Sequence, residues 1–160
     1  MAKKINWRIV AGLVVAAFVL VALVIATNHF DRFRLPANES SAVGSLRTLY
    51  VANVAYAKDH PKDGYPKKLN DLSGRSDNSE QHSDPEWVID PVLAGGVKTG
   101  YRFAYIPRSS KGDGMMDAYE VSANPLEPGK YGRRHFFMNE TGVIRLSETG
   151  PANASDPALH

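Results

Sequence analysis

The first strong pattern along the chain is a run without polarity. Residues 9–26, IVAGLVVAAFVLVALVIA, carry no charged, amide or hydroxyl side chain. As a helix they rise about 27 Å, close to the hydrocarbon thickness of a bilayer. The pattern predicts a transmembrane anchor over residues 9–27, preceded by a cytoplasmic stretch at 1–8 and followed by a polar junction at 28–37. A cleaved secretory signal is the alternative, with Val24 and Ala26 as a small-residue site before Thr27, but the run is longer than the usual signal core of about 7 to 15 residues. Either reading exports the rest of the chain. Leu35-Pro36 predicts a stop or bend, because proline disfavours the helical region for the residue before it. Asn38, Ser40 or Ser41 then caps a second helix over residues 40–58. Its apolar positions Val43, Leu46, Tyr50, Val54 and Ala57 step by three or four, and Leu49 and Tyr56 widen the stripe. His60-Pro61 ends it.

Residues 62–91 mix Gly, Pro, Ser, Asp and Asn and read as a long connection, with a short helical turn at 69–72 and a mobile part at 75–85. Trp87, Val88 and Ile89 return to apolar character and are expected to tuck its far end under the core. After Gly100 the period becomes two: Tyr101, Phe103 and Tyr105 alternate with Arg102, Ala104 and Ile106, a half-buried strand closed by Pro107. Residues 118–123, 135–139 and 143–146 are the next strands. Between the last two, Asn139 to Gly142 must reverse the chain, so Gly142 is expected in a left-handed conformation. Residues 150–160 have no periodicity and are expected to be a loose tail. The fold class is therefore α+β: an N-terminal transmembrane helix, then an amphipathic helix packed on a small antiparallel sheet, with residues 38–149 forming one exported domain.

Composition narrows the function. In 160 residues, 43% hydrophobic and 22% charged, there is room for one modest folded domain. Three basic residues, Lys3, Lys4 and Arg8, precede the apolar run. The other 16 of 19 face all 17 acidic residues, a formal charge of -1 beyond the N-terminus. That balance excludes a nucleic-acid partner. The same three cations, set against Arg32 and Arg34 beside Asp31, favour a cytoplasmic N-terminus. Trp7 and Phe30 suit the two interfaces. The expected location is thus the cytoplasmic (inner) membrane, single-pass, with the lipid bilayer as first partner and the C-terminal domain periplasmic or extracellular. The absence of cysteine removes disulfides, thiolate metal sites and cysteine nucleophiles.

Candidate chemistry is sparse. His29, His60, His82, His135 and His160 are dispersed without the spacing of a helical zinc site. Asp113, Asp117 and Glu120 beside Gly112 and Gly114 offer oxygen ligands, but not in the EF-hand pattern, and read as a solvated hairpin loop. The serines lie in loops or caps rather than a nucleophile elbow. Gly95-Gly96 lacks the context of a phosphate cradle. No catalytic, cofactor-binding or metal-binding residue is assigned, no cofactor is expected, and the chain reads as a non-enzyme.

Several blocks in order carry a resemblance: ANESSAVGSLRT (37–48), AYA (55–57), IDPVLAGGVKTGYRF (89–103), RHFFMNETGVIR (134–145) and the ending GPANASDPAL. This order resembles bacterial type IV pilins and the major pseudopilins of type II secretion. The resemblance implies a non-catalytic, membrane-anchored pilin-like protein, a divergent or minor component of a type IV pilus or type II secretion-type apparatus, with other pilin-like or apparatus proteins as partners. It also implies that the 112–120 loop is the place to look for calcium. The N-terminus departs from the family: Gly12 is followed by Leu13-Val14-Val15-Ala16-Ala17 instead of Phe-Thr-Leu-Ile-Glu, and the apolar run holds no acid. The departure favours the alternative, a tethered exported binding or sensor module that no longer assembles into filaments.

Overall fold

A computed structural model describes residues 7–73, 88–110, 112 and 114–160, without the side chains of residues 8–10 and 24–33. The chain divides into two units, Met1–Arg34 and Leu35–His160. Helix α1 spans Trp7–Asp59 and contains Pro36. The expected stop at Leu35-Pro36 is therefore corrected. Proline's fixed φ of about −65° is itself helical, and the helix runs on through Pro36 despite one missing N–H and the crowding of the ring against the carbonyl four residues back.

The expected transmembrane helix is corrected as well: among the described residues, no helix is long and apolar enough to cross a membrane. The apolar stretch with described side chains runs over residues 11–23.

In the second unit α1 lies on the sheet through Ala42, Leu46, Leu49, Ala52 and Asn53, all buried. The expected stripe is right at Leu46 and Leu49 but drifts off at its end: Val54 is 44% exposed, and the buried position is Asn53. A polar residue takes the core place because its amide is satisfied there. Its Nδ2 donates to the Leu49 carbonyl at 2.7 Å, and its Oδ1 lies 2.9 Å from the Tyr105 hydroxyl. The expected caps are interior to the helix. Asn38 Nδ2 instead donates to the Tyr131 carbonyl at 2.8 Å, and Ser41 Oγ donates to Thr99 Oγ1 at 3.2 Å. α1 ends at Asp59, before His60-Pro61 as expected.

A 3-10 turn at Leu69–Leu72 and a short α2 at Pro91–Ala94 follow. Asp90 caps α2 by accepting from the Val92 N–H at 2.8 Å. Ile89 is buried in the core and bridges to Ser73. The expected mobile part at 75–85 and Trp87 lie outside the described residues.

The sheet is a five-stranded antiparallel meander, β1 (Val97–Lys98), β2 (Tyr101–Arg108), β3 (Ala118–Pro125), β4 (His135–Asn139) and β5 (Arg145–Ser147), in that spatial order. Alternation puts Tyr101, Phe103, Tyr119, Val121, Ala123, Phe136 and Met138 against α1 in one core. Pro107 does not close β2 but pairs with Tyr119 inside it. β1 covers only the first two residues of β2, so Pro107 sits where the outer edge needs no N–H, and it blunts that edge against further pairing. The expected strand at 143–146 begins at Arg145 instead. Ile144 is buried, but Val143 is 39% exposed and belongs to the turn.

The tail is docked. Leu146 N–H donates to the Pro157 carbonyl at 3.1 Å, Leu159 N–H donates to Ile144 at 2.8 Å, and Arg145 Nη1 donates to Asp156 at 2.7 Å. These backbone bonds supply the order that the residue pattern lacks.

Candidate interaction surface

Residues 11–23 of α1 form the first candidate. Every described side chain there is exposed, and large apolar groups point in all directions around the helix: Leu13, Val15, Phe18, Leu20 and Leu23 are 57 to 74% exposed. Consecutive residues in a helix differ by about 100° in direction. The four residues Leu13-Val14-Val15-Ala16 therefore leave no polar side. An apolar surface of this extent is normally found covered.

A second feature lies on the Leu35–His160 unit, where Arg47, Thr48, Val51, Ala52, Val88 and Ile89 line a shallow groove of about 350 Å³. Val51 is 51% exposed on its wall. It is a packing groove with one charged residue and no convergent polar groups.

The charged groups of this unit are mostly committed to structure. Glu39, a buried carboxylate that the residue pattern did not flag, accepts from Arg133 N–H at 2.8 Å, Arg134 N–H at 3.2 Å and Arg134 Nε at 2.6 Å. The Arg134 carbonyl in turn accepts from the Tyr101 hydroxyl at 2.9 Å. This latch holds the chain between β3 and β4 on α1. Its one sequence signal is position, since residues 39, 42, 46 and 49 share a face of the helix. Burial alone pushes the Glu39 pKa up, but the hydrogen bonds from Arg133 and Arg134 and the Arg134 charge outweigh it, and the value falls below its ordinary 4.5. A depressed carboxylate contributes stability that is present above its unfolded pKa and is lost as pH falls through the folded one. Glu39→Gln is therefore expected to cost about 1.5 to 3 kcal/mol at neutral pH and to flatten the loss of stability below pH 4.5. Urea midpoints of both proteins across the acid range check this; parallel curves would contradict it.

The residues weighed for metal do not converge. Asp117 accepts from Ser110 N–H at 2.8 Å and from the Ser110 hydroxyl, while Glu120 takes Arg108 Nε at 3.0 Å and Nη2 at 2.9 Å. Asp113 lies outside the described residues. His60 stacks on Tyr56 with its Nδ1 2.9 Å from that residue's carbonyl, and His135 Nδ1 lies 2.7 Å from Asn124 Oδ1. Burial lowers the His135 pKa below its ordinary value. His160 is exposed, His82 lies outside the described residues, and so does the side chain of His29. Among the described residues no three metal-capable side chains gather.

Compared with known proteins, the chain matches no family model, no curated protein and no solved structure.

Proposed function

We propose that the protein works by contact and not by catalysis, as a divergent or minor pilin-like component of a type IV pilus or type II secretion-type apparatus, with its folded part in the exported space. The observation that carries this reading is the stretch 11–23, apolar on every side and exposed throughout. Helices of other subunits offer a matching apolar cover, and each large side chain so covered contributes about 1.5 to 3 kcal/mol. The order of elements, a long helix followed by an antiparallel meander, supports the same reading. So does the use of the carboxylates: Glu39, Asp90, Glu120 and Glu127 are each held by a cation. A second reading, an exported binding or sensor module outside any filament, is favoured by the lack of an acid in residues 9–26 and by Gly12-Leu13 at the place where pilins carry their processing motif.

The test is the full chain with Phe18→Asp and Leu20→Asp, extracted from its native host and sized by native electrophoresis. The double variant is expected to lose its large complexes while the melting of the Leu35–His160 unit stays unchanged. Complexes of unaltered size would overturn the proposal.

A further inference from the structure

The groove on the Leu35–His160 unit is an apolar space with a cation at its rim. Its floor is Ala52 and Ile89, both buried, and its walls are Val51, which is exposed, and Val88, which is half-buried. Thr48 turns its hydroxyl back to the Gly44 carbonyl at 3.1 Å. Arg47, one turn before Val51 on the same side of α1, is exposed and has no hydrogen bond or ion pair among the described residues. This arrangement fits an apolar side chain with a carboxylate beside it. The apolar group would leave water against Val51 and Ile89, and the planar guanidinium would take both carboxylate oxygens.

The chain itself carries such a pair. Of the large apolar side chains exposed on this unit among the described residues, Leu126 alone has an acid next to it in sequence, Glu127. Val92 comes nearest, but Asp90, two residues before it, already caps α2 and holds Lys98. Leu126 is 40% exposed at the start of the β3–β4 connection. That connection is fixed. Leu126 N–H donates to the Gly100 carbonyl at 2.9 Å, the Glu127 carbonyl accepts from Lys130 N–H and Tyr131 N–H, both at 3.1 Å, and prolines stand at 125 and 128. A side chain presented by a fixed backbone loses little freedom on docking. Glu127 is paired with Lys130 at 2.8 Å, but both side chains are largely exposed. Such a pair is worth about 0 to 1 kcal/mol and leaves acceptor sites on the carboxylate for a second cation.

Leu126 does not line the groove of its own chain. Its connection is bonded to the start of this unit's part of α1, through Asn38 Nδ2 on the Tyr131 carbonyl, whereas Thr48 lies about 15 Å further along the helix at 1.5 Å per residue. Apolar knob and charged groove are therefore matched between copies and not within one. They are different surfaces, so the contact is heterologous and repeats from chain to chain. We propose that the protein self-associates head to tail, with Leu126 of one copy seated in the groove beside Val51 of the next and its Glu127 paired with that copy's Arg47. The contact is separate from whatever covers residues 11–23 and does not depend on membership of a filament. One knob covers less than the roughly 1,200 Å² of a standard interface, so the association is weak and is best read by crosslinking.

The chain has no cysteine, so introduced ones report position cleanly. The full chain receives Thr48→Cys at the groove and Pro128→Cys beside the knob, both exposed, and is treated with a short bismaleimide. Every protein in the series also carries Phe18→Asp and Leu20→Asp, which removes clustering through residues 11–23. The double-cysteine chain is expected to give a ladder of dimers and higher multiples on denaturing gels, and each single-cysteine chain far less. Leu126→Ser and Arg47→Glu, both at exposed positions, should leave the melt unchanged. Each should reduce the ladder about tenfold, the loss of roughly 1.4 kcal/mol. Adding Glu127→Arg to Arg47→Glu should restore it, which a general loss of solubility or folding would not do. Product of monomer size only, or a ladder that Leu126→Ser and Arg47→Glu leave unchanged, would overturn the proposal.

Discussion

Phe136→Ala is expected to lower the stability of the Leu35–His160 unit by about 3 to 5 kcal/mol, the range for removing a fully buried phenylalanine. Phe136 has no exposed surface, sits in the middle of the core with its ring centre 6.0 Å from that of Tyr101, and carries the Arg134 guanidinium 5.8 Å above it. The loss therefore combines a cavity with a loosened seat for the Arg134–Glu39 latch. Domains of this size have only about 5 to 15 kcal/mol in total, so the variant should be close to unfolding at moderate temperature. Phe137 is the control. It is also buried, but it points to the other face of β4, outside the main core, and pairs with Arg145. Phe137→Ala is expected to cost less. Denaturant midpoints of the two variants decide it; an unchanged midpoint for Phe136→Ala would contradict the packing of α1 on this sheet.

Gly142→Val is expected to cost about 2 to 5 kcal/mol. Gly142 has φ of +74°, as its place in the turn demands, and its N–H donates to the Asn139 carbonyl at 3.0 Å. A side chain in that conformation costs roughly 1 to 2 kcal/mol. A Cβ would also meet the Tyr50 ring at 2.7 Å, adding an overpacking cost of about 1 to 3 kcal/mol. Glu140→Val, two residues away in the same turn, meets neither obstacle and should cost clearly less. Calorimetric melting of the two variants side by side is the check, and equal losses would mean that the turn is not built around Gly142.

Much of this architecture is legible in the chain because its signals are local. The alternation from Tyr101 onward, the alternation of Tyr119, Val121 and Ala123 with polar neighbours, and the tight turn ending in Gly142 each fix a strand or a reversal within a few residues. Where reading by pattern goes wrong, the deciding partner is distant in sequence. Asn53 is core only because Tyr105, 52 residues later, meets its amide. Glu39 is buried only because Arg133 and Arg134 arrive 94 and 95 residues on. The tail at 150–160 is ordered by backbone bonds to Ile144 and Leu146, which no side-chain pattern announces. Pro36 misleads in the opposite sense, since a rule about isolated dipeptides yields to a helix continuing on both sides of it.

The measurement that bears most directly on function by contact is photo-crosslinking from position 18, with a photoreactive phenylalanine replacing Phe18 in the full chain inside its native host. Phe18 is 74% exposed at the middle of the apolar stretch, so it reports whatever covers that surface. Adducts to discrete protein partners, mapped by mass spectrometry to apolar helical segments, are the expected result. Irradiation that leaves the protein uncrosslinked, or joined to lipid alone, would contradict it.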